Sequence, residues 1–200
     1  MIRNGKKRSR RWIVAAAIAA AVVVVTVLGC EILRNSKRWF VNEGDYSAEI
    51  AAAAKKHGLD PALVRSLIYQ ESSFRAGKRG KKGEIGLMQV LPSGAAAEWA
   101  RVKKRRRPSE RELFDVETNL EIGCWYLARA TNRWKEYRRG TELALAEYNA
   151  GPSQARKWAP KDKDGEVLPR VRIASTKKYI TEIMNRYRSY SKATNGAKSK

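Results

Sequence analysis

One histidine and two cysteines in 200 residues close off several classes of chemistry at once. With His57 as the single imidazole, a Ser-His-Asp site has one possible base and a multi-histidine metal site cannot be assembled. Cys30 and Cys124 are too few for a four-cysteine zinc cage or a disulfide scaffold. Acidic residues are also scarce, 20 Asp+Glu against 42 Lys+Arg, for a net charge of +22. That balance attracts polyanions, whether nucleic acid, anionic lipid or anionic cell-wall polymer, and does not choose among them. The length points to one domain with at most an appendage, and 43% hydrophobic content is enough for a single packed core.

The charge is unevenly placed. Residues 1–30 hold six basic residues and no acidic ones, leaving +16 on the rest of the chain. Behind that basic stretch, residues 13–28 are uncharged, a run that as helix covers about 24 Å. A hydrocarbon core is roughly 30 Å thick, so a membrane span would need flanking residues up to 33. Val27-Leu28-Gly29-Cys30 resembles the bacterial lipoprotein processing box, which would make Cys30 a lipidated residue. Either anchor gives the same topology, with the chain beyond it outside the cytoplasm.

Residues 1–33 therefore read as a basic and apolar address, 34–45 as a linker, 46–190 as a folded domain, and 191–200 as a disordered basic tail. Within the domain the pattern is helical. Asp60-Pro61 is a cap followed by proline at the first helical position. Leu120, Cys124, Leu127 and Trp134, at spacings of four, three and seven, share one face of the longest helix, over 115–134. Shorter helices are expected over 46–57, 92–100, 142–149 and 176–190. The glycine-rich stretch 77–86 reads as a loop or small hairpin, and the cationic run 101–107 as the end of a helix opening a second loop. The fold class is mostly α.

One residue breaks the pattern of the helix that starts at Pro61. Val64, Leu67 and Ile68 form its apolar stripe, and the next position on that stripe is Glu71. A carboxyl placed there is pushed toward its neutral form, as a general acid near neutral pH requires. The plain alternative is a helix that is ending, with Glu71 swinging into solvent.

Three strings surround and follow this position: Glu71-Ser72-Ser73-Phe74, Gly86-Leu87-Met88-Gln89-Val90-Leu91-Pro92 and Ala146-Glu147-Tyr148-Asn149-Ala150-Gly151-Pro152. Together with Thr176-Lys177-Lys178-Tyr179 they resemble, in order and spacing, the motifs of the soluble lytic transglycosylase family over about residues 48–190. The resemblance implies a lysozyme-like helical domain that cleaves the MurNAc-β-1,4-GlcNAc bond of peptidoglycan without a metal or other cofactor. It makes Glu71 the acid and then the base, as the MurNAc 6-hydroxyl closes a 1,6-anhydro ring. It counts Ser72 among the substrate-binding residues, with a part in fixing the helix end, and has Met88 and Gln89 line the sugar groove. Tyr148 and Asn149 would face the acid, and the Tyr179 hydroxyl would set its protonation. Taken singly, Met88 could be core filling, Tyr148 packing, and Tyr179 a helix-flank residue.

Two departures from the family pattern stand out. Gly80-Lys81-Lys82-Gly83-Glu84-Ile85 replaces the usual Ser-x-x-Gly-Ala, so Glu84 is an extra acid near the site. A water held there would make the enzyme a hydrolase, as in goose-type lysozymes. Ser175 replaces the acid of the family's E-T-x-x-Y string. Elsewhere the readings are bland: His57 as a helix-end cap or dipole partner, Cys124 as a small buried residue, Trp158 as either a sugar platform or a core side chain. The expected partners are peptidoglycan strands, and the membrane through the N-terminal segment. No nucleic-acid partner is expected of this monomeric domain, whose place is the bacterial envelope on its periplasmic or extracytoplasmic side. A non-catalytic peptidoglycan-binding scaffold is the remaining alternative.

Overall fold

In the computed structural model residues 46–198 are described, with side chains through Lys192. The expected membrane segment, the Cys30 lipidation site and the whole 34–45 linker lie outside the described residues. Among the described residues no helix is long and apolar enough to cross a membrane.

The described residues form eight α-helices: α1 Ser47–His57, α2 Pro61–Ser72, α3 Ala97–Val102, α4 Glu110–Leu113, α5 Val116–Arg133, α6 Gly140–Ala150, α7 Pro152–Trp158 and α8 Ala174–Lys198. A π-helical turn, Pro92–Ala96, leads into α3, and a 3-10 turn, Leu168–Arg170, precedes α8. Two antiparallel bridges, Arg79 with Ile85 and Ile85 with Val90, shape the glycine-rich stretch into a minimal hairpin. Two short helices, α4 and α7, were not expected from periodicity, because four and seven residues are too short to show it. Composition also failed at the C-terminus. The segment read as a disordered tail from 191 continues α8 to Lys198, since extending a formed helix costs far less than nucleating one.

Local chemistry explains the boundaries. The Asp60 carboxylate accepts from the Ala62 amide at 2.8 Å with Pro61 behind it, and Gly58 ends α1 in the left-handed region at φ 66°. Asp115 caps α5 through the Thr118 amide, and Ser109 with Glu112 closes a reciprocal capping box on α4.

The core is built around α5, whose Leu120, Ile122, Cys124 and Leu127 are fully buried. Against it pack α1 and α6, while α8 lies along α2. Two hydrogen bonds tie the last pair: Tyr187 to Asp60 at 2.7 Å and Gln70 to Glu182 at 2.9 Å. As numbering rises along α2 it falls along α8, so the two helices run antiparallel. Continued toward the end of α2, that register brings Tyr179 level with Glu71.

Candidate active site

Glu71 occupies the last turn of α2, on the stripe whose other members, Val64, Leu67 and Ile68, are wholly buried. The helix is stopped just beyond it by two consecutive residues in the left-handed region, Ser73 at φ 51° and Phe74 at φ 59°. Each costs of order 1–3 kcal/mol for a non-glycine residue, and burial of the Phe74 ring against Tyr69 offsets it. Ser72 is fully buried, and its hydroxyl donates back to the Ile68 carbonyl at 3.1 Å. It can stiffen the helix end but cannot reach a ligand, so its placement among substrate-binding residues is corrected.

Glu71 is half-buried and is surrounded by groups from three other elements. Tyr179, from α8, donates its hydroxyl to Oε1 at 2.5 Å. Lys78, from the hairpin, donates its ammonium to the Glu71 backbone carbonyl. Burial pushes the carboxyl pKa from 4.5 to about 7; the Tyr179 bond and the Lys78 charge pull it down, and the Glu84 charge adds to the rise. Tyr148, from α6, has its own ionisation raised well above 10, first by burial and then by the charge of Glu71. The group therefore exchanges a proton near neutral pH, which an exposed glutamate cannot do.

Across from the acid the hairpin is clasped to α5 by one buried amide. Asn119 accepts from the Met88 amide and donates to the Ile85 and Leu113 carbonyls, each at 2.8 Å. Gly86 lies directly against this amide at φ 80°, where a Cβ would collide with the Asn119 side chain. Met88 is fully buried, in a seat that exists because Gly123 has no side chain, and its sulfur lies 3.8 Å from that of Cys124. The expectation that Met88 lines the groove is therefore corrected in favour of core packing. Its carbonyl accepts the Tyr148 hydroxyl at 2.8 Å, and the Tyr148 ring packs edge-on against Tyr126. Gln89, half-buried at φ 47°, donates to the Gly86 carbonyl at 2.9 Å and the Lys78 carbonyl at 3.3 Å.

The family model for the transglycosylase SLT domain matches residues 48–168. The chain belongs to that family. It is 37% identical over 100 residues to membrane-bound lytic murein transglycosylase E of Buchnera aphidicola, covering 46% of this chain and 45% of the relative. It is 30% identical over 124 residues to membrane-bound lytic murein transglycosylase C of Haemophilus influenzae, covering 60% and 35%. Among solved structures, an inactive mutant of lytic transglycosylase Slt from Pseudomonas aeruginosa superposes with a TM-score of 0.66 at 26% identity, over 76% of this chain and 24% of that one. The 70 kDa soluble lytic transglycosylase of Escherichia coli, at 22% identity over 73% of this chain and 24% of that one, shares the fold with a TM-score of 0.63. This chain thus spans less than half the length of each of these relatives.

The remaining candidates take their places within the SLT domain. Asn149 is exposed at the end of α6, and its side-chain oxygen accepts from the buried Thr176 hydroxyl at 2.8 Å. Ser175 is exposed on the first turn of α8, and its replacement of an acid leaves the Tyr179 to Glu71 contact in place. Glu84 is half-buried, its carboxylate held by the Lys82 amide at 2.9 Å. His57 lies in the last turn of α1, where a basic side chain complements the helix dipole, while Gly58 supplies the cap; its ring is 2.9 Å from Glu121 on α5. Burial works against that carboxylate, yet hydrogen bonds from Lys56, His57 and Trp99 hold it down at about 2. Trp158 is buried in the core, and burial pushes the Cys124 thiol up to about 12. Among the described residues no three His, Cys, Asp or Glu side chains converge as a metal site.

Three contributors escaped the sequence reading. Lys78 looked like one more cation in a basic loop, and Tyr126 like part of a helix face. Asn119 carried a faint signal, a polar side chain beside Leu120 at the buried side of the longest helix.

Proposed function

We propose that this chain is a peptidoglycan lytic transglycosylase, with Glu71 as general acid and then general base. The observation that carries the reading is the half-buried Glu71 carboxyl, raised to about 7 and held by the Tyr179 hydroxyl. As the acid, it delivers its proton to the glycosidic oxygen as the bond to the MurNAc anomeric carbon breaks. As the resulting carboxylate, it takes the proton of the MurNAc 6-hydroxyl while that oxygen bonds to the same carbon. The proton balance closes on one side chain and no water is consumed. A hydrolase instead needs a second carboxylate as nucleophile or to activate water.

The other residues support this cycle. Tyr179 orients the carboxyl and stabilises its charged form, Gln89 and Asn149 bind the sugar, and the Tyr148 ring walls the site. Residues 101–107 are all exposed and six of them are cations, of which Arg106 is paired with Glu112. Their charge suits the anionic envelope around the glycan, and with the basic and apolar 1–33 segment it favours an extracytoplasmic, membrane-tethered location. The printed names of relatives, membrane-bound murein transglycosylases, agree with that reading.

Digestion of purified sacculi tests it. The wild type should release 1,6-anhydro muropeptides and Glu71→Gln should release none. Products heavier by one water would assign a muramidase, and sacculus binding without products would leave a scaffold.

A further inference from the structure

The hairpin after α2 carries a cation with no counterpart in the three motif strings. Lys78 sits one residue before the Arg79 bridge, half-buried, and is fastened at both ends. Its backbone carbonyl accepts from the Gly86 amide at 2.8 Å and from the Gln89 side chain at 3.3 Å, which locks it to the loop that also holds Met88. Its ammonium reaches back to the carbonyl of Glu71, on the last turn of α2. A helix C-terminus presents carbonyls without intrahelical partners, so a cation there satisfies an open acceptor and complements the helix dipole.

The charged surroundings of this ammonium are well defined. Glu71 faces it from α2 and Glu84 from the hairpin, while Arg75 opposes it from the intervening turn. Burial and Arg75 draw its ionisation below the ordinary lysine range, and the two carboxylates act to keep it charged. Glu71 in turn is faced by Tyr179 from α8 and by Tyr148 from α6.

We propose that Lys78 is a positioning residue for Glu71, seating the acid by its grip on the helix end and stabilising the carboxylate that forms when the proton leaves. Lys78 touches neither the glycosidic oxygen nor the sugar and acts through Glu71 alone. The role rests on the acid–base reading above and deepens it. In the first half-reaction the cation favours departure of the proton, and in the second it shields a half-buried carboxylate.

Charge and grip can be separated. Lys78→Gln keeps a donor for the Glu71 carbonyl and removes the charge; Lys78→Arg keeps both; Lys78→Met removes both. The readout is the carboxyl carbon resonance of Glu71 in the full chain labelled with 13C at glutamate Cδ, identified by its absence from Glu71→Gln. The titration midpoint should rise by about one pH unit in Lys78→Gln and stay within a few tenths of wild type in Lys78→Arg. On sacculi, kcat should fall about tenfold in Lys78→Gln with KM little changed, and its alkaline limb should move by the same interval as the resonance.

An unmoved midpoint in Lys78→Gln, or an equal rise in Lys78→Arg, overturns the proposal. If Lys78→Met fails to fold, the Gln and Arg pair still decides it. Because the resonance is read without substrate, a wild type inactive on sacculi would overturn the functional reading alone. A normal midpoint in an active Lys78→Gln enzyme would overturn the Lys78 role alone.

Discussion

Replacing Glu71 by glutamine should cost the protein its activity and raise its stability, the second effect only where the wild-type carboxyl is forced to ionise. Burial lifts the Glu71 pKa from 4.5 to about 7, so between those values the folded state binds more of this proton than the unfolded chain. Stability therefore falls as pH rises through that window and is lowest above pH 7. The rise corresponds to about 3 kcal/mol, absent below pH 4 and full above pH 8. Glutamine has the same shape and can still accept from Tyr179, but has no proton to lose. The difference between Glu71→Gln and wild type should thus grow by about 3 kcal/mol from pH 4 to pH 8, or roughly 6–12 °C in Tm for a chain of this size. Thermal unfolding of both proteins across that range, in one detergent and at one salt concentration, measures it. Parallel curves would refute the reasoning, because they would mean that Glu71 ionises in the native state as it does in the unfolded chain.

Further outcomes follow from the same geometry. Tyr179→Phe removes the bond that favours the charged form, so the alkaline limb of the pH–rate profile should move upward and kcat fall about 10-fold to 100-fold. Asn119→Ala strands one amide and two carbonyls in the interior and should cost about 3–5 kcal/mol in denaturant unfolding, with activity falling alongside. Gly86→Ala places a methyl against the Asn119 amide at a positive φ, and should lose several kcal/mol where Gly83→Ala loses only the backbone strain. Substituting glutamine for Arg101, Lys103, Lys104, Arg105 and Arg107 should weaken sacculus binding and flatten its salt dependence, with kcat on soluble glycan unchanged.

Much of the candidate site was legible because its cues are local. A carboxylate on an apolar stripe is visible in one helical turn, and Asp60-Pro61 announces where that turn is counted from. The motif strings placed Tyr179 near Glu71 by resemblance, although they lie 108 residues apart. The same strings misled at Met88 and Ser72, whose proximity to Glu71 and Gln89 in sequence says nothing about which way each side chain faces. Met88 turns inward because Gly123 leaves a vacancy on α5, and no pattern around residue 88 contains that information. His57 reads as a helix end, which it is, but its partner Glu121 comes from α5 and is invisible in the local sequence.

The sequence by itself determined the helical class, the Asp60-Pro61 cap and the family, and singled out Glu71 as the candidate acid, since each depends on contacts within a few residues or on motif order. Tertiary structure decided the rest. Antiparallel docking of α8 on α2 brings the Tyr179 hydroxyl to 2.5 Å from Glu71, and the hairpin bends Lys78 back to the helix end. Asn119 fastens that hairpin to the core. Burial, which lifts the Glu71 pKa to about 7, is a property of all these elements packed together, and no segment of the chain holds it alone.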